Sequence, residues 1–187
     1  MDYKAQIGDI FLCDSDRTAA KMVKFLMQSP TVWQQIWRWV TKRLQPVRYY
    51  HAGMILSQEQ MIEQQGKVQY GETKKILSRR ITIFRKTGLT FQQAADVGAA
   101  GKGDIGEGYG IISVIGKALT WITGLTLFED LMHVGDADIC VNRVAYWYWK
   151  SNGELFGVKN FRRTTTKTMD EYLMQKENGW EVVYTND

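Results

Sequence analysis

His51-Ala52-Gly53-Met54-Ile55-Leu56, then Gln58-Glu59-Gln60, then Met61-Ile62-Glu63: two short apolar strands with a polar turn between them. On such a hairpin Glu63, twelve positions after His51, comes beside the imidazole. A carboxylate there fixes the ring's tautomer and stabilises the imidazolium form. Each residue also has a plainer reading. A strand histidine next to tyrosines packs half-buried, and an edge-strand glutamate faces water.

A thiol gives the hairpin a chemical counterpart. The chain holds two cysteines, Cys13 and Cys140, and two histidines, His51 and His133. Asp136 and Asp138 precede a helix whose Val141, Val144, Ala145 and Tyr148 recur at helical spacing. With Asp138 as cap, Cys140 falls in the first turn, where the helix dipole and unpaired N–H groups favour a thiolate. The same N–H groups can hold an oxyanion. The two aspartates push the thiol the other way, and a small buried hydrophobe is the plain alternative for any lone cysteine.

Around these segments the chain reads as one α+β domain over residues 1–187. Gln6 to Cys13 is a buried strand entered through a Gly8-Asp9 turn. Ser15 or Asp16 caps a helix with Ala19, Met22, Val23 and Leu26 on one face, and Pro30 breaks it. Thr31 starts a second helix, with Trp33, Ile36, Trp37, Val40 and Leu44 on one face, and Pro46 ends it. Beyond the hairpin, Gly66 and Gly71 punctuate an extended, Lys-bearing segment, and Arg80 to Arg85 alternates as a half-buried strand does. Thr90 caps a helix through Val97. The glycine-dense stretch from Gly98 to Gly110 is expected to be a loop, followed by an apolar helix. A short helix near Met169 to Gln175 and a strand from Trp180 to Thr185 close the chain.

His-Ala-Gly, an apolar run, a turn and Met-Ile-Glu resemble the histidine hairpin of NlpC-like peptidases, whose third polar residue lies at the same offset. In those enzymes the cysteine helix comes first. Here the order is the Gly8-Asp9-Ile10-Phe11 strand, histidine, acid, cysteine helix, which is similar to the circularly permuted branch of the NlpC-like, papain-like fold. The resemblance covers nearly the whole chain. It implies a small antiparallel sheet packed on helices, with Cys140 as nucleophile, His51 as general base and Glu63 as orienting acid. It also implies peptidoglycan stem peptides or lipid acyl groups as substrates. The permuted families commonly follow their cysteine with serine and an acidic or amide residue, whereas this chain reads Cys140-Val141-Asn142-Arg143.

Composition bounds the remaining possibilities. With 187 residues, 44% hydrophobic and 24% charged, the chain is long enough for a proper core and is not of disordered type. Two distant cysteines make no disulfide framework. No CxxC or Cys/His cluster points to zinc, so no metal or cofactor is expected. Met1-Asp2-Tyr3-Lys4 runs straight into strand-like sequence, so the expectation is synthesis in the cytoplasm without a secretory signal, in a cytoplasmic enzyme or a phage protein released by virion or lysis. Residues 110–128 carry Ser113, Lys117 and three glycines, which argues against a membrane span.

Other signals carry less. Gly101-Lys102-Gly103-Asp104-Ile105-Gly106 fits GxGxxG but follows helix-like sequence, so a dinucleotide site is not expected. Cys13 and His133 are expected to be structural. Lys74, Lys75, Arg79, Arg80, Arg85 and Lys86, with Arg162, Arg163 and Lys167, lack an aromatic reader pattern, so no specific nucleic acid is expected as partner. Trp33, Trp37 and Trp39 on a basic helix suit a membrane surface or a substrate groove. The expectation adopted instead packs Trp33, Ile36, Trp37 and Val40 into the core. Two functional classes follow: a thiol hydrolase of amide or ester bonds, or a catalytically inactive fold used as a binding or structural module.

Overall fold

The computed structural model describes residues 3–14, 48–108 and 140–186, with single positions at Trp33, Ile36, Val40, Leu119, Ile122 and Thr123. The first helix of the sequence reading, His133, Asp136, Asp138, Trp37 and Trp39 lie outside the described residues. So does most of 110–128.

The described residues form an α+β fold on one six-stranded antiparallel sheet. In chain order the strands are β1 (Ile10–Cys13), β2 (His51–Ile55), β3 (Gln60–Gln65), β4 (Lys67–Glu72), β5 (Ile81–Lys86) and β6 (Trp180–Asn186). Across the sheet they lie in the order β4-β3-β2-β1-β5-β6. The α-helices whose bounds fall within the described residues are α1 (Thr73–Leu77), α2 (Phe91–Gly103), α3 (Cys140–Asn152) and α4 (Thr166–Leu173). Both segments of the opening hairpin thus form strands, paired Gly53 to Glu63, Met54 to Ile62 and Ile55 to Met61.

Alternation along each strand splits the core in two. Ile10, Leu12, Ala52, Met54, Ile62 and Phe84 face one side, where Val97 of α2, Val144, Trp147 and Tyr148 of α3, and Met169 and Leu173 of α4 cover them. Phe11, Cys13, Ile55, Met61, Ile81 and Ile83 face the other, packed with Tyr3 and Ile76. Burial on both faces corrects the reading of β5 as half-buried: Thr82 is buried too, its hydroxyl hydrogen-bonded with Tyr49 at 2.6 Å and Thr185 at 3.1 Å. The polar member of the alternation points into a second interior, not into water.

Other expectations are also corrected. The residues from 98 to 103 are helical, not loop: α2, capped by a Thr90–Gln93 capping box as the sequence suggested, continues to Gly103. Gly98 and Gly101 are buried contact points, where a Cβ would lie 2.4 Å from Ile7 Cδ1 and 2.8 Å from Met54 Cε. These glycines let the helix approach its neighbours closely instead of breaking it. The Lys-bearing segment after β4 contains α1, a five-residue helix. Trp33, Ile36 and Val40 are helical, but they stand 68%, 48% and 62% exposed instead of in the core. Helical spacing fixes that they share a face, not what that face meets.

Two anchors set the sheet's entry. Gly8 takes φ +89°, and its carbonyl accepts a hydrogen bond from the Tyr148 hydroxyl of α3. Asp9 is buried and accepts from Arg85 Nε at 2.8 Å, Arg85 Nη2 at 2.7 Å and the Tyr3 hydroxyl at 2.6 Å. The Gly-Asp turn is therefore a clasp between the N-terminal segment, β5 and α3.

Candidate active site

His51 opens β2, and side-chain parity places it with Gly53 and Ile55 on the Phe11–Cys13 side of the sheet. Glu63 lies opposite Gly53 on β3, so it shares that face and stands diagonal to His51. Its Oε2 is 2.8 Å from His51 Nε2, and both residues are buried. The pairing expected from the hairpin therefore forms, while the solvated reading of Glu63 does not. Gln65 Nε2 donates to the same oxygen at 2.9 Å.

Glycine at 53 makes this packing possible. A Cβ there would sit 2.2 Å from Phe11 Cζ and 2.7 Å from the Ile62 carbonyl oxygen. The Phe11 ring occupies that space and lies against His51, with ring centroids 6.1 Å apart. Gly71 on β4 serves Glu63 similarly: its missing Cβ leaves room for Met61 and for Glu63 Oε1.

Cys140 is the first residue of α3 and is 5% exposed. Its Sγ lies 4.0 Å from the Tyr50 carbonyl oxygen, at the mouth of β2. There the His51 ring and the backbone N–H groups of Ala52 and Val141 are close enough to act on the charge of the sulfur. With Nε2 engaged by Glu63, the ring's Nδ1 is the nitrogen left for the thiol. The structure thus brings all three expected residues into one buried cluster, with Glu63 bonded to the imidazole and the sulfur within its electrostatic reach.

Electrostatics follow from this order. Burial alone raises the Cys140 thiol, but the imidazolium and the two N–H groups outweigh it and hold the thiol below its ordinary value. Burial lowers His51, and the facing thiolate and Glu63 reverse this, pushing it up to about 9. Glu63 is raised by burial, yet the hydrogen bond from His51, then Gln65 and Arg79, hold it below the usual carboxylate range. The arrangement favours a thiolate–imidazolium pair, the reactive form of a cysteine nucleophile.

Three neighbours were missed or set aside in the sequence. Cys13, directly opposite His51 across β1 and β2, is no remote thiol; burial pushes it up to about 12, so it stays protonated beside the site. Arg79 acts through its charge on both Cys13 and Glu63. Gln65 completes the acceptor set of Glu63. No local pattern marks Arg79, whose place depends on how α1 returns the chain to β5. Glu63 and Arg79, with Met61, Gln69, Tyr70 and Lys75, line a cleft of about 700 Å³ over β3 and β4.

The residues after the cysteine have a structural explanation. Asn142 is buried, and its Nδ2 donates to the carbonyls of Phe161, Arg162 and Thr164 at 3.0, 2.9 and 2.8 Å. Arg143, also buried, pairs with Asp104 at 3.1 Å, and Trp147 Nε1 donates to the same carboxylate at 2.8 Å. Both side chains tie α3 to neighbouring segments, away from the sulfur.

No protein-family model matches this chain, and no curated protein matches it. Among solved structures it is similar to the crystal structure of metalloprotein yiiX from Escherichia coli O157:H7, a DUF1105 protein. The TM-score is 0.56 at 18% identity, over 98% of this chain and 90% of that one. That likeness is one of fold. Among the described residues no three His, Cys, Asp or Glu are grouped to hold a metal ion. The His51 nitrogen that faces Glu63 is already in a direct hydrogen bond.

Proposed function

We propose that this protein is a thiol hydrolase of amide or ester bonds on a circularly permuted, NlpC-like papain fold. The observation that carries the reading is the buried His51–Glu63 pair at 2.8 Å, with the Cys140 sulfur 4.0 Å from the carbonyl of Tyr50, the residue before His51, and coupled electrostatically to the imidazole. Cys140 Sγ attacks the substrate carbonyl as thiolate, and the electron pair moves onto the carbonyl oxygen. N–H groups at the start of α3 receive that oxyanion. His51 gives its proton to the leaving amine or alkoxide as the tetrahedral intermediate collapses to a thioester. Water then attacks the thioester, His51 takes its proton, and the acid product leaves with the thiol regenerated. Glu63 keeps the imidazole oriented through both halves and stabilises it whenever it carries the proton.

Peptidoglycan stem peptides and lipid acyl groups are the two substrate classes this reading carries. The test is turnover of a panel of peptidoglycan fragments and lipid esters by wild type and Cys140→Ala. The reading expects hydrolysis of one class that the substitution abolishes, with a covalent adduct to a thiol-directed activity probe at Cys140. Equal turnover by Cys140→Ala would overturn it. The burial of Cys140 and His51, each 5% exposed, favours a second reading in which the trio only braces the fold of a binding module. That reading expects no probe adduct at all.

A further inference from the structure

Charge is segregated along this chain. From Arg17 to Gln58 there are seven Lys and Arg residues and not one Asp or Glu, although the formal charge of the whole chain is only +4. Among the described residues, several basic side chains around the sheet pair with acids: Arg85 with Asp9, Lys86 with Glu154, Lys75 with Glu72 and Lys167 with Glu171. Inside the acid-free stretch lie Trp33, Ile36 and Val40, helical and 68%, 48% and 62% exposed. Steps of three and four residues put their side chains on one helix face. Large apolar side chains grouped on a soluble surface mark a contact site.

We infer that this face docks on an anionic lipid bilayer. Trp33, Ile36 and Val40 enter the boundary between headgroups and acyl chains, and the net positive charge that the sequence gives this stretch favours an anionic surface over a neutral one. The apolar chemistry selects this partner over a nucleic acid. Ile36 and Val40 gain by leaving water for hydrocarbon and gain nothing from phosphates, while an indole sits well at a membrane interface. The inference stands apart from the chemistry of Cys140.

Flotation of the full chain with vesicles tests it, using phosphatidylcholine alone and phosphatidylcholine with about one third phosphatidylglycerol. Binding is expected to the mixed vesicles, several-fold weaker to the neutral ones and weakened by salt. Trp33→Ser/Ile36→Ser/Val40→Ser is expected to lower affinity by about tenfold or more while leaving the thermal melt unchanged. Val40→Asp, a single exposed change, is a second variant and should lose several-fold. Failure of the wild type to float with mixed vesicles would overturn the inference. So would undiminished binding by both variants, or binding to a DNA duplex as tight as to vesicles with neither affected by the variants.

Discussion

At the scale of single residues, the site depends on a missing side chain and a carboxylate. A Cβ at Gly53 would meet the fully buried Phe11 ring at 2.2 Å and backbone oxygen at 2.7 Å. Gly53→Ala should therefore cost about 2–3 kcal/mol, read by urea unfolding, because neither neighbour has room to move. Glu63 is legible in the sequence from its offset alone, and its effect can be given a sign. It helps hold His51 near 9, so Glu63→Gln should lower the pH at which imidazolium is lost. The upper limb of the pH–rate profile should move down by about one unit. Because its pKa is lowered in the fold, Glu63 contributes stability above its ordinary 4.5 that is lost as pH falls through the folded value. The stability gap between wild type and Glu63→Gln should therefore close in acid.

At the scale of elements, α3 serves two purposes. Its first residue carries the thiol, and the next two turn inward to bind other segments. Removing the Asn142 amide takes the donor from the buried Thr164 carbonyl and from the partly exposed Phe161 and Arg162 carbonyls, of which Phe161 still accepts from Thr164 N–H, so Asn142→Ala should cost about 1–3 kcal/mol. Alkylation of Cys140 in the folded variant should stay within about a factor of three of wild type, since the amide does not face the sulfur. Hairpin, cysteine helix and the Thr90 cap were readable because each has a local signature: alternation, helical spacing, a capping side chain. The extension of α2 to Gly103 was not, because glycine near a helix end signals either a break or a close contact, and only the neighbours Ile7 and Met54 decide between them. Likewise, helical spacing puts Trp33, Ile36 and Val40 on one face but does not encode that the face is exposed.

At the scale of the whole molecule, the sheet joins β1 near the N-terminus to β6 near the C-terminus through β5. The Asp9 clasp stabilises that closure by joining the entry turn to β5 through a bidentate pair with Arg85. Asp9→Asn leaves Arg85 without its charge partner and should cost about 2–4 kcal/mol, lowering Tm by roughly 5–15 °C. Strand order and two-sided burial were beyond the sequence, since pairing β1 with β5 joins segments about seventy residues apart. The trio was legible because two of its members share one hairpin. The approach of α3 to the mouth of β2 is a tertiary fact.

The central claim is that His51 makes Cys140 a thiolate at neutral pH. Its most direct test is the pH dependence of Cys140 alkylation by iodoacetamide, followed by mass spectrometry of its own peptide so that Cys13 does not contribute. The expected result is a rate at neutral pH above that of free cysteine, with a midpoint below the ordinary thiol value of 9.0 that returns to or above it in His51→Ala. A midpoint at or above 9.0 in wild type, unmoved by His51→Ala, would contradict the account.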